Sequence, residues 1–122
     1  MTNPVILYIA AAITFLWGLS HLFPTASVVR GFGDISEDNR NIIKMEWITE
    51  GIALIFIGII VTGVTYIGSE NEVANFIYVS SSVVLVVLAI VSLVTGFRII
   101  LLPFKLCPYL FTISAVLILL GS

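Results

Sequence analysis

Trp17-Gly-Leu-Ser-His21-Leu-Phe-Pro24 and Met45-Glu46-Trp47-Ile-Thr-Glu50-Gly51, with the polar stretch between them, decide how this chain is read. The segment from Trp17 to Gly51 holds the single histidine, both tryptophans and five of the seven acidic residues. On either side the chain is nearly continuous hydrocarbon. Pro24 closes one apolar run and Trp47 opens another. The segment therefore reads as a connection between two membrane spans, carrying most of the ionisable chemistry with it.

The composition agrees. The 122 residues are 60% hydrophobic and 10% charged, with a mean hydropathy of +1.21. A soluble domain carries about 25% charged residues. A chain this small has too much surface to leave so few charges on it in water, so its natural solvent is lipid. The net charge is -2, and no basic run or basic-aromatic patch offers a surface for nucleic acid. Cys107 is the one cysteine, which excludes an intrachain disulfide. It reads as a small apolar residue near a helix start, and Lys105 is weak support for a reactive thiol. Met1-Thr-Asn-Pro4 has no Lys or Arg and so lacks the basic start of a secretory signal. The first segment is expected to stay as a membrane helix.

About 20 apolar residues carry a helix across a bilayer. Four runs qualify, at about 4–23, 47–67, 73–102 and 106–121, and the fold class that follows is an all-α four-helix transmembrane bundle in one domain. Asn3 and Pro4 suit the N-cap and first position of the first helix. Thr14, Trp17, Gly18 and His21 share one of its faces, which points into the bundle. Ser36, followed by Glu37 and Asp38, is a capped helix start, and a helix from there runs into the second span. Gly51 and Gly58, with Leu54, Ile55 and Thr62, form a stripe for close helix approach. Ser69 or Asn71 caps the third helix, Pro103 is expected to end it, and no soluble domain is expected after Ser122. Gly31-Phe-Gly33 permits a sharp turn but is no phosphate loop, since no strand precedes it.

Orientation follows from the five basic residues. Arg30, Arg40 and Lys44 lie in the first connection, and Arg98 and Lys105 lie around the third. The positive-inside rule puts these connections in the cytoplasm and both termini on the non-cytoplasmic side of a cell's inner membrane.

Placed by depth, the polar side chains converge on one leaflet. His21 ends the first span, Glu46 and Glu50 open the second one turn apart, Arg98 ends the third, and Lys105 and Tyr109 open the fourth. Ionisable groups within a span tend to face inward and pair. Glu50 is the deepest acid, with His21 as its expected partner and Arg98 as a second. The candidate site is thus a polar pocket of His21, Glu50, Glu46 and Arg98, walled by Trp17, Trp47 and Tyr109. Such a pair moves protons or holds a polar headgroup such as a quinone carbonyl. The plain alternative is an interfacial ion pair that sets helix register, with the tryptophans as an aromatic belt. No metal site is expected, because one histidine and two acids lack a second histidine or cysteine at ligand spacing. Haem held by two histidines would need two copies of the chain. No Ser–His–acid or Cys–His arrangement stands out.

Gly18-Leu-Ser-His21-Leu-Phe-Pro24 followed by Ile48-Thr-Glu50-Gly51-Ile-Ala-Leu54 resembles the DoxX-like family of small four-helix membrane proteins. Some members are subunits of quinone-linked oxidoreductases. The resemblance implies functional weight for His21 and Glu50 and for no other residue. The long charged loop with Gly31-Phe-Gly33 departs from the family pattern. The expected function is a small membrane subunit or binding protein for a lipophilic redox partner such as a quinone. It would have no catalytic centre of its own, and no resident cofactor beyond a bound quinone. Its partners are the lipid bilayer and, left open, other membrane subunits or a second copy. The rivals are a structural subunit of a larger complex and a lipid-modifying enzyme.

Overall fold

The structure is a computed structural model that describes residues 1–96 and 98–122. Among the described residues there is no strand, and four helices are long and apolar enough to span a membrane. Helix α1 is Pro4–Leu22, α2 is Thr25–Arg30, α3 is Glu37–Gly68, α4 is Glu72–Val91, continued by a π-helical turn at Ser92–Gly96, and α5 is Leu102–Gly121. Only 28–39% of each span's apolar window is buried by protein. The remaining faces, with Ile9, Leu16, Phe56, Ile59, Val83, Val87, Ile90 and Leu120 exposed, need lipid against them.

The caps follow the local chemistry. The Asn3 side chain accepts from the Ile6 N–H, Ser36 from that of Asn39 and Asn71 from that of Ala74. Each satisfies one of the donors that a helix start leaves bare. Helix α3 starts at Glu37 and runs unbroken for 32 residues. That is about 48 Å, against a hydrocarbon core of about 30 Å, so its first turns project beyond the membrane. In the connection, Gly33 makes the turn with a φ of 76°. Val28 and Val29 of α2 are buried against the end of the bundle.

One boundary differs from expectation. The third span ends at Gly96, not near 102, and Pro103 begins α5 instead of closing the helix before it. Proline in a first turn lacks only an N–H that has no partner there anyway, so it starts a helix as readily as it stops one. The fourth span accordingly starts at Leu102.

Small residues set the closest approach. An added Cβ on Gly18 would lie 2.7 Å from the Gly51 carbonyl oxygen, and one on Gly58 would lie 2.8 Å from the Phe15 Cβ. No side chain fits there, so α1 and α3 pack backbone against backbone along the stripe expected from the sequence. Helix α1 also packs on α5, and α5 on α4. Helices α3 and α4, joined by a tight turn, touch far less. The order around the bundle is therefore α3, α1, α5, α4, with an opening between the two ends of the series. Both termini sit at one end, where the Asn3 N–H donates to the Gly121 carbonyl at 2.7 Å and the Thr2 and Ser69 hydroxyls pair at 2.7 Å. The opposite end, closed by α2, carries the ionisable cluster.

Candidate functional site

His21 lies in the last turn of α1, where the final carbonyls of a helix have no internal partner. Side chains fill two of those places, the His21 and Leu22 carbonyls. The His21 carbonyl accepts from the Trp47 indole N–H at 2.5 Å and from the Thr25 hydroxyl at 2.9 Å. The Trp17 carbonyl lies 2.8 Å from His21 Nδ1 and accepts from the Ser20 hydroxyl at 2.6 Å. The His21 ring is held on two sides. Trp47 stacks on it with centroids 4.3 Å apart, and Trp17 meets it edge-on at 5.5 Å. The residue is 1% exposed.

These contacts determine which nitrogen carries the proton. A carbonyl only accepts, so Nδ1 facing the Trp17 oxygen is the N–H. Nε2 is buried with no hydrogen-bond partner and looks toward Glu50. The Glu50 Oε2 is 3.6 Å away, beyond hydrogen-bond distance, and the two form an ion pair only when the ring is protonated. Glu50 reaches this place because Gly51, next to it, lets α3 rest against the His21 Cβ. Cys107, buried near the start of α5, completes the group. The His21, Glu50 and Cys107 donor atoms all lie within 4.8 Å of one another.

On the other side of Trp47 and Glu50 is a cavity of about 390 Å³, in the opening between α3 and α4. Ile42, Ile43, Leu88, Val91 and Phe104 give it apolar walls, and Glu46, Thr49, Glu50, Ser92 and Thr95 give it polar points. Phe104 forms its inner wall, held by Phe32 edge-on at 5.8 Å and by Trp47 at 5.1 Å. A smaller cavity of about 240 Å³, between α1 and the start of α5, touches the far side of His21. The His21–Trp47 stack is a partition between the two.

Of the residues proposed from sequence, the fold brings together His21, Glu50, Trp17 and Trp47. Glu46 is exposed and lines the cavity mouth one turn before Glu50. Arg98 is exposed beyond the π-helical turn and forms no ion pair among the described residues, so it is not the second partner of Glu50. Tyr109 is 59% exposed, about 200° round α5 from Cys107, and is not a wall of this cavity. Sequence reasoning missed Cys107 and Phe104. Their one signal was position, at the start of a helix that begins at the same end of the bundle. Comparison with protein-family models, with curated proteins and with solved structures finds no significant match.

Proposed function

We propose that the protein binds a lipophilic molecule with a compact polar head in the cleft between α3 and α4, and that a quinone is the chemistry that suits it best. The observation that carries this reading is the cleft itself. It is an apolar slot of ligand size, between two helices that touch less than the other neighbouring pairs of spans, with a carboxylate at its inner end. Small-molecule sites are generally of this kind, mostly apolar with a few placed polar groups. A ligand dissolved in the bilayer enters sideways without crossing water. A quinol hydroxyl would donate to Glu50, and the Thr49 hydroxyl would donate to a quinone carbonyl. The resemblance of Gly18–Pro24 and Ile48–Leu54 to the DoxX-like family points the same way, as does the positive-inside placement of this end in the cytoplasm. In this reading the chain is a membrane subunit or binding protein with no separate catalytic centre.

The test is titration of a short-tailed quinone analogue into the protein in nanodiscs, with empty nanodiscs as the partition control. Saturable binding is expected, weakened at least tenfold when Leu88→Phe and Val91→Phe together fill the slot. Binding that does not saturate, or that the filled variant retains, refutes the reading. Co-purification of other polypeptides without analogue binding would favour the structural-subunit alternative.

A further inference from the structure

We propose that His21, Glu50 and Cys107 bind one divalent transition-metal ion, with zinc the best match to their charge and ligand types. Two of these groups face each other whatever fills the cleft. In its neutral form His21 presents the bare lone pair of Nε2, because Nδ1 carries the proton that the Trp17 carbonyl accepts at 2.8 Å. Glu50 presents a carboxylate oxygen 3.6 Å away. Both are acceptors, so the contact is attractive only with a positive particle between them. A proton would serve two donors. A third, the Cys107 sulfur, converges on the same point from another helix, with every donor within 4.8 Å of the others.

The geometry suits a small tetrahedral ion. Zinc bonds of about 2.0 Å to nitrogen and oxygen and about 2.3 Å to sulfur put neighbouring donors about 3.5 Å apart. The His21–Glu50 separation already has that value. All three donors already lie within 4.8 Å of one another, and Glu50, the one ligand side chain of the three with substantial exposure, at 28%, has room to adjust. His21 meanwhile is fixed. A metal-bound histidine commonly donates its other N–H to a backbone carbonyl or a carboxylate, which aims the lone pair, and the Trp17 carbonyl does so here. The Trp17 indole N–H is also buried, short of a full hydrogen bond, and faces the Cys107 sulfur. A metal-bound thiolate would accept it.

Charge supports a divalent ion in particular. A carboxylate, a thiolate and a neutral imidazole bring two negative charges into a bundle surrounded by hydrocarbon. A 2+ ion makes the site neutral, and a neutral cluster avoids the cost of isolated charge at that depth. The mixed nitrogen, oxygen and sulfur set favours zinc over the hard ions calcium and magnesium. Three protein ligands leave a fourth position. Glu50 and Cys107 both line the cleft, so that position opens toward it. Sites with an open position exchange ligands, whereas structural zinc sites are closed by four protein side chains.

The experiment uses the full-length protein in mild detergent, stripped with a chelator and then titrated with Zn²⁺ and, separately, with Co²⁺. One zinc per chain is expected by elemental analysis after gel filtration. The cobalt form is expected to show a thiolate-to-cobalt charge-transfer band and intense tetrahedral d–d bands. Cys107→Ser, nearly isosteric, is expected to remove the charge-transfer band, and His21→Gln to abolish stoichiometric retention. No retained metal in the wild-type protein overturns the proposal. So does metal binding that both substitutions leave unchanged, which would place it on surface acids. Should either variant fail to fold, the wild-type cobalt spectrum decides alone: stoichiometric cobalt without a thiolate band also refutes the site.

Discussion

The contact between α1 and α3 makes a prediction of sign as well as size. An alanine Cβ at position 18 would lie 2.7 Å from the Gly51 oxygen and 2.8 Å from two atoms of Ile55, where ordinary contact begins at 3.4 Å. The shortfall of 0.7 Å falls on backbone, which has no rotamer to change. Helices α1 and α3 must separate by several tenths of an ångström along the contact. Overpacking of this kind costs about 1–3 kcal/mol. The intrinsic preference for alanine over glycine in a helix offsets at most about 1 kcal/mol of it. Gly18→Ala is therefore expected to destabilise the bundle by about 1–2 kcal/mol. Gly51→Ala, whose Cβ would meet the His21 Cβ at 2.9 Å, should do the same and also push His21 away from Glu50. Gly63 is the control on the same helix, because a Cβ there meets nothing within 4 Å. Gly63→Ala should be neutral or stabilise by up to about 1 kcal/mol. Reversible unfolding in mixed detergent micelles, followed by circular dichroism, measures all three. If Gly18→Ala and Gly63→Ala shift stability in the same direction by similar amounts, the close-approach reasoning is wrong.

Other outcomes follow from single contacts. Trp47→Phe keeps a ring over His21 but removes the buried indole donor to the His21 carbonyl, and should cost about 1 kcal/mol in the same assay, the Thr25 hydroxyl keeping the carbonyl partly satisfied. Tyr78→Phe removes the buried hydroxyl pair with Thr65 at 3.0 Å, near the end that carries the termini. Its cost should be about 0.6 kcal/mol, the average for such bonds between membrane helices, and a loss above about 2 kcal/mol would mean the pair holds more than one contact. Cys107 is 3% exposed, so a maleimide should label it slowly in mild detergent and rapidly after unfolding. In a Cys107→Ser background, Asp34→Cys, exposed in the first connection, should be labelled by a membrane-impermeant reagent only from the cytoplasmic side. Labelling from outside intact cells would reverse the orientation.

Much of the site was legible because it is local. His21 and Glu50 are ionisable groups at facing ends of consecutive spans, and consecutive membrane helices are usually neighbours. Their pairing needed only the positions of Pro24 and Trp47. Arg98 failed as a partner for a reason that depth alone does not reveal. It shares an end of the bundle with Glu50, but the π-helical turn at Ser92–Gly96 ends the helix before it and leaves it exposed. Cys107 lies 57 positions beyond Glu50, and no spacing rule joins the two.

What the sequence alone determined was therefore one-dimensional: the four spans, the capped starts at Asn3 and Ser36, the glycine stripe, and the gathering of His21, Glu50 and both tryptophans at one end. Hydrocarbon length and unpaired backbone groups impose these features on each segment by itself. Only the tertiary structure decided the order α3, α1, α5, α4, and with it the open cleft and the meeting of three donors from three helices. In lipid the outward face of a helix is as apolar as the inward one, so hydropathy does not say which face meets which. That choice is made where glycine backbones come closest, and it is visible only once the helices have packed.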